Sequence, residues 1–163
     1  AHSCARLKLI VDTSSRKGRY EIPFFLLCVS FAFGQVARAQ EAITTPYAGS
    51  FDDAVFAVEN AIIDHGLKVD HISHVGEMLA RTGQDIGVTL EIFKAADVFL
   101  FCSAVLSREM MTDDPMNIAH CPYNLFVAET EKGVVIGHRS YPQGAMQKVQ
   151  GLLAELTAQA AQQ

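Results

Sequence analysis

The sequence predicts an α+β domain in which helices pack on a mostly antiparallel sheet. Half of the 163 residues are hydrophobic and only 19% are charged, a composition that excludes a disordered chain. Segments with strand and helix periodicity follow in the order strand, helix, strand, short helix, strand, helix, hairpin, helix. The helices do not follow the regular strand–helix–strand repeat of a parallel sheet, which favours helices layered on antiparallel strands.

The predicted domain opens with an edge strand and a well-capped helix. Residues 42–48 are rich in β-branched residues, and Pro46 favours a position at the sheet edge. Ser50 is a suitable N-cap for the helix that follows, whose apolar residues recur at helical spacing until Gly66. Residues 67–75 then alternate between apolar and polar, which predicts a half-buried strand.

The remaining elements follow from the same patterns. They are a short helix over residues 77–81, a segment 88–93 that fits either strand or helix, a buried strand 97–102, a helix 104–111, a strand 123–129, a hairpin turn 131–133 into a strand 134–139, and a closing helix with Met146, Val149, Leu152, Leu153 and Leu156 on one face. No repeat or Pro/Gly-rich linker interrupts residues 40–163, so we expect one compact domain there.

Residues 1–39 have the parts of a secretory signal, together with sequence upstream of it. A basic stretch at residues 16–19 precedes an apolar core at residues 24–33, and the small-x-small pattern at residues 37–39 predicts cleavage before Gln40. A membrane span needs about 20 apolar residues, and the core at residues 24–33 is half that length. We therefore expect no stable span once the signal is removed. The sequence therefore predicts a periplasmic or secreted protein.

The charge differs between the two parts of the chain. Residues 1–39 carry a net charge of +4, whereas residues 40–163 carry −9. An acidic body argues against nucleic acid as the partner, because binding phosphates requires clustered basic side chains.

Two cysteines, Cys102 and Cys121, lie in the predicted domain at the ends of neighbouring predicted strands. In an oxidising compartment such a pair more often forms a disulfide than two free thiols, so we predict a Cys102–Cys121 disulfide. Free thiols and a redox or ligand role are the alternatives. No C-x-x-C motif is present, which argues against a thioredoxin-like exchange centre.

Soft donors are concentrated in the same stretch. They are Cys102, Met110, Met111, Met116, His120 and Cys121. Thioether, imidazole and thiolate together suit Cu(I), although the methionines also fit a helix core. Haem is a further alternative through His71, His74 or His120, but the C-x-x-C-H motif of covalent attachment is absent. His71 and His74 are expected to point to opposite faces of one strand. We expect no cofactor, with copper or haem as the alternatives.

Candidate site residues for a small ligand lie in this region as well. Arg108 could face a pocket with Asn117 and Tyr123 and bind a small anion, although a helix surface with its capping turn is the preferred explanation of Arg108. No G-x-S-x-G, H-E-x-x-H or phosphate-loop motif occurs, and the adjacency of His120 and Cys121 does not make a catalytic pair. A non-enzymatic domain that binds a small ligand or a protein partner is the first interpretation. Soft-metal or haem handling is the second and a thiol-dependent enzyme the third.

One group of segments resembles a known family. The segments are Phe101-Cys102-Ser103-Ala104, Ser107-Arg108-Glu109-Met110-Met111, Asp114-Pro115-Met116-Asn117-Ile118 and Cys121-Pro122-Tyr123, with the opening helix and the late hairpin in support. They resemble the bacterial family catalogued as domain of unknown function 302, in a branch whose members are exported. The resemblance covers residues 43–156. It implies a compact α+β fold, commonly paired as a homodimer, and it implies no reaction.

Overall fold

The computed structural model of the protein describes residues 42–163, and the predicted signal and cleavage site lie outside these residues. The elements are β1 (Ala42–Tyr47), α1 (Phe51–Asp64), β2 (Val69–Ser73), α2 (Val75–Asp85), β3 (Ala95–Phe101), α3 (Ala104–Asp113), a 3₁₀ helix (Pro115–His120), β4 (Tyr123–Thr130), β5 (Gly133–Arg139) and α4 (Gln147–Ala160). Apart from the 3₁₀ helix, which the sequence did not predict, the elements follow the predicted order.

The five strands form one sheet in the order β1-β5-β4-β3-β2, and every neighbouring pair is antiparallel. This confirms the predicted α+β class. Pro46 lies on β1, which is an edge strand as predicted. Among residues 42–163, no helix is both long enough and apolar enough to cross a bilayer.

The hydrophobic core lies between one face of the sheet and helices α1 and α4. Its largest buried side chains come from β3, β4, β5, the two helices and α3: Phe99, Phe101, Tyr123, Leu125, Ile136, Ile62, Leu153, Leu156 and Met110. Because side chains alternate along a strand, the neighbours of Leu125 on β4, Asn124 and Phe126, lie on the other face of the sheet. We call this face, which α1 and α4 do not cover, the outer face.

Helix α1 begins and ends as the sequence predicts. The Ser50 side chain accepts a hydrogen bond from the Asp53 backbone N–H at 3.1 Å, and the Ser50 backbone N–H donates to the Asp53 carboxylate at 3.3 Å. This capping box satisfies two backbone donors that the helix leaves unpaired. After α1, Gly66 adopts a φ of 71°, a left-handed conformation that favours glycine and turns the chain toward β2.

The region around α2 differs from the prediction. Strand β2 ends at Ser73, so His74 lies beyond it, and the expectation that His71 and His74 share one strand was wrong. The chain turns here because α2 packs closely on β3: a Cβ on Gly76 would lie 2.6 Å from the Ala96 backbone nitrogen. Residues 88–93 form neither strand nor helix, since no neighbouring strand pairs with them in the described part of the chain.

Candidate functional site

Three strand ends meet at one end of the sheet. Strand β3 ends at Phe101, directly opposite Tyr123, where β4 begins, and β5 ends at Arg139. Antiparallel pairing therefore brings the residues that follow Phe101 beside those that precede Tyr123. We call this region the sheet-end site.

The sheet-end site holds both cysteines of the domain. The Sγ atoms of Cys102 and Cys121 lie 3.3 Å apart, with both residues as free thiols. Cys102 is exposed and Cys121 is partly buried. The Ser107 hydroxyl, on α3, lies 3.7 Å from the Cys121 sulfur and donates to the Tyr123 hydroxyl at 3.1 Å. The structure thus places the two thiols together, and their disulfide stays a prediction.

The thiol and phenol groups at and beside the sheet-end site are held in their neutral, protonated forms. Partial desolvation raises the pKa of the Cys102 thiol to about 11, and its hydrogen bond with Cys121 contributes further. Burial raises the pKa of Tyr123, and it raises the pKa of Tyr141 to about 12. Cys102 is therefore a thiol at neutral pH, whereas a catalytic cysteine needs a thiolate. This electrostatic setting does not favour a thiol-dependent enzyme.

Tyr141 connects the thiols with the outer face. Its ring packs against His120, with centroids 5.6 Å apart, and meets Tyr123 edge-on at 6.4 Å. The residue is only 5% exposed, yet its hydroxyl has no hydrogen-bond partner among residues 42–163. A buried hydroxyl without a hydrogen-bond partner destabilises the folded state.

A pocket opens beside Tyr141 on the outer face. It has a volume of about 440 Å³, and its lining residues are Ala42, His120, Asn124, Phe126, Arg139 and Ser140. Four of these carry hydrogen-bonding side chains, and none is acidic. Sequence reasoning found only His120 of this set. The alternation of β4 and β5 could have indicated that Asn124 and Arg139 leave the core face, but their convergence depends on strand pairing.

The predicted ligand-binding residues Arg108, Asn117 and Tyr123 each make different contacts. Arg108 lies on the exposed side of α3 and lines a cavity that also includes Lys148. The Asn117 side-chain amide donates to the Met110 carbonyl at 2.9 Å and so closes the end of α3. Tyr123 is buried against the core and accepts a hydrogen bond from Ser107. The three side chains therefore have different surroundings, which their positions in the sequence could not indicate.

The predicted soft-metal donors other than the two thiols differ in burial and contacts. Met110 is buried in the core, Met111 is partly buried, and Met116 is 69% exposed on the 3₁₀ helix. His120 packs on Tyr141 instead. Within residues 42–163, no group of three or more His, Cys, Asp and Glu side chains is arranged to hold a metal ion.

The histidines considered as haem ligands have different surroundings. His71 is exposed on the edge strand β2, and the Nδ1 atom of His74 lies 2.8 Å from a carboxylate oxygen of Asp97. That contact raises the pKa of His74, mainly through the hydrogen bond. His120 lines the outer-face pocket.

Comparison with known proteins places the chain in a family. Residues 42–163 match the model of the family described as domain of unknown function DUF302. The fold is similar to the crystal structure of an uncharacterized conserved DUF302 protein from Bacillus stearothermophilus, with a TM-score of 0.56 and 15% sequence identity over 76% of this chain and 95% of that chain. A comparison with curated proteins finds no match. The chain therefore belongs to the DUF302 family.

Proposed function

We propose that this protein is an exported, non-enzymatic domain that binds a small organic anion in the outer-face pocket. The observation that carries the proposal is the convergence of Arg139, His120, Asn124 and Ser140 on one cavity that no acidic residue lines. Pockets of about 300–1,000 Å³ are typical of small-molecule sites, and 440 Å³ falls within that range.

Arg139 is the main anchor for the anion. Its guanidinium group is exposed at the end of β5, and no acidic side chain of the described residues forms an ion pair with it. A guanidinium group presents two parallel N–H donors that match the two oxygens of a carboxylate. In a domain with a net charge of −9, such an uncompensated cation beside polar donors favours an anionic ligand.

Asn124 and Phe126 indicate the rest of the ligand. Asn124 is only 9% exposed, and it lines the pocket with a side-chain amide that can both donate and accept hydrogen bonds. The Phe126 ring forms an apolar wall of the same pocket. A molecule with one carboxylate and a compact apolar body satisfies both surfaces, since the ring can stack with the body while the donors bind the carboxylate.

Titration of the full chain with benzoate tests the binding proposal, with inorganic phosphate as the second probe. We expect saturable chemical-shift changes at the amides of His120, Asn124 and Arg139 with benzoate. Arg139→Gln should weaken benzoate binding at least tenfold, because hydrogen bonds to a charged partner contribute about 1.5–3 kcal/mol. Arg81→Gln, on the exposed side of α2, is the matched control and should leave binding unchanged. Binding of phosphate alone, or equal binding by both variants, would contradict the proposal.

Export is tested separately at the N-terminus. Residues 11–42 fused to a reporter that is active only outside the cytoplasm should give activity, since the apolar core and cleavage pattern are those of a signal peptide. The processed protein should begin at Gln40, and bulky replacements of Ala37 and Ala39 should block cleavage. An uncut form of the native protein held in the membrane would contradict export.

A further inference from the structure

We propose that Cys102 and Cys121 are a reversible disulfide site that exchanges with small thiols and dithiol partners, with Cys102 as the sulfur that the incoming thiolate attacks. This site lies beside the anion pocket and does not depend on it. External thiols would oxidise and reduce this pair, so the domain would respond to the redox state of its surroundings without acting as a catalyst.

The sulfur atoms of Cys102 and Cys121 already lie next to each other. The two Sγ atoms are in contact at 3.3 Å, and the register of β3 and β4 fixes this neighbourhood through the Phe101–Tyr123 pair. Cys102 is one position after this pair and Cys121 is two positions before it, and the contact shows that their side chains reach each other from these positions. Formation of the disulfide therefore requires movement of the two side chains and no rearrangement of the sheet.

The difference in exposure determines which sulfur reacts. Cys102 is exposed just after β3, whereas Cys121 is partly buried and has Ser107 beside it. Thiol–disulfide exchange requires an in-line approach of the thiolate to one sulfur, so access decides the point of attack. The incoming thiolate can reach Cys102, and Cys121 then becomes the leaving group.

A short chain of hydroxyl groups can stabilise the leaving sulfur. While Cys121 is a thiol, its S–H can donate to the Ser107 oxygen, and Ser107 donates to Tyr123. When Cys121 leaves as a thiolate, Ser107 turns its proton to the sulfur, and Tyr123 donates to Ser107 in its place. Tyr123 stays protonated for this role, because burial raises its pKa.

The exchange balances as follows. A reductant thiolate forms a bond to the Cys102 sulfur, and the Cys102–Cys121 bond breaks with its electron pair on Cys121, which takes a proton from solvent. A second reductant thiolate then attacks the reductant sulfur of the mixed disulfide and releases Cys102, which is also protonated. The protein gains two electrons and two protons, and two reductant thiols become one disulfide. A disulfide oxidant drives the same steps in reverse.

The test uses the full chain with Cys4→Ser and Cys28→Ser, so that only the pair remains, in mixtures of reduced and oxidised glutathione. After acid quenching and alkylation, mass spectrometry should show one intramolecular disulfide that forms and reopens with the glutathione ratio. Cys121→Ser should accumulate one glutathione on Cys102. Cys102→Ser should be modified on Cys121 at least tenfold more slowly. Absence of the intramolecular disulfide, or faster modification of Cys121, would overturn the proposal.

A second pair of variants keeps both cysteines. Ser107→Ala should slow reduction of the disulfide at least tenfold, because the leaving thiolate loses its donor. Thr112→Ala is the matched control, since it removes a hydroxyl from the same helix that bonds the Arg108 carbonyl, away from the thiols. Equal reduction rates in the two variants would overturn the assigned role of Ser107.

Discussion

The Phe126 ring lies over Gly137 on the outer face of the sheet, so closely that a Cβ on residue 137 would be 2.5 Å from Phe126 Cζ. The same Cβ would lie 2.6 Å from the Ile43 carbonyl oxygen on β1. An aromatic ring that covers a glycine of the neighbouring strand replaces the side-chain packing that glycine lacks. This contact holds Phe126 in place as a wall of the proposed anion pocket.

Gly137→Ala should destabilise the protein by about 1–3 kcal/mol, because the added methyl group meets a backbone oxygen that cannot move away. It should also weaken benzoate binding, since the Phe126 ring must shift. Urea unfolding measures the first effect and the titration above measures the second. Gly151→Ala is the control: it has no atom within 4 Å of its Cβ and lies in α4, so alanine should stabilise by about 0.5–1 kcal/mol. Equal effects of the two substitutions would contradict the packing argument.

The capping box of α1 gives a second prediction. Ser50→Ala should reduce the free energy of unfolding by about 1 kcal/mol near neutral pH, and Ser50→Asn should retain most of it, because asparagine is also a good N-cap. Hydrogen bonds from Ser50 lower the pKa of Asp53. The stabilisation from Asp53 is therefore present above its unfolded-state pKa and is lost as the pH falls through the lower folded-state value.

This predicts that the stability difference between wild type and Ser50→Ala becomes smaller in acid. Urea unfolding at a series of pH values measures it. A difference that grows below pH 4 would show that the Asp53 carboxylate does not contribute to the cap.

The sequence predicted most of the fold because local signals and tertiary packing agree there. Helix α1 is determined by the Ser50 cap and by its own apolar face. The β4–β5 hairpin is determined by the turn before Gly133. The prediction was wrong at His74, where the alternating pattern continued past the residue at which α2 packs on β3. Local periodicity carries no information about such a contact between elements.

The candidate site was less predictable than the fold. The neighbourhood of Cys102 and Cys121 followed from two predicted strand ends, so sequence reasoning found it. Arg139 and Asn124 come together only through the pairing of β4 with β5, and no sequence motif marks that convergence. Arg108 was chosen for its charge, but its direction depends on the rotation of α3, which the sequence near it does not determine.

The contact between His74 and Asp97 predicts a pH dependence. Asp97 raises the pKa of His74, so protonated His74 stabilises the folded state through this contact. The stabilisation is fully present below the unfolded-state pKa of about 6.5 and is lost as the pH rises through the folded-state pKa. Asp97→Asn should lower the pKa of His74 in an NMR titration and reduce stability more at pH 6 than at pH 9. The exposed His71 is the internal control. An unchanged His74 titration would contradict the interaction.

Alkylation of Cys102 should depend steeply on pH. With a pKa raised to about 11, the thiolate fraction increases about tenfold for each pH unit up to that value, and the reaction rate with iodoacetamide follows it. The measurement compares reduced wild type with reduced Cys121→Ser, both with Cys4 and Cys28 replaced by serine, and mass spectrometry follows the label on Cys102. Loss of the Cys121 hydrogen bond should lower the apparent pKa in the variant, since that bond contributes to the shift. A rate that levels off near neutral pH in the wild type would indicate a reactive thiolate instead.

The disulfide itself predicts a stability difference that depends on redox state. A bond between Cys102 and Cys121 joins residues 19 positions apart, and closing a loop of that size stabilises the folded state by about 3 kcal/mol, since it restricts the unfolded chain. With Cys4 and Cys28 replaced by serine, Cys121→Ser should therefore lower the free energy of unfolding by about 2–4 kcal/mol under oxidising conditions. Under reducing conditions the loss should be much smaller, because neither protein has the cross-link. Cys102→Ser removes the same bond and should give the same oxidised loss, although the two side chains differ in exposure. Two reactive thiols in the unfolded, unreduced protein that carries Cys4→Ser and Cys28→Ser would contradict the bond. They would instead favour a soft-metal ligand at this pair of sulfurs.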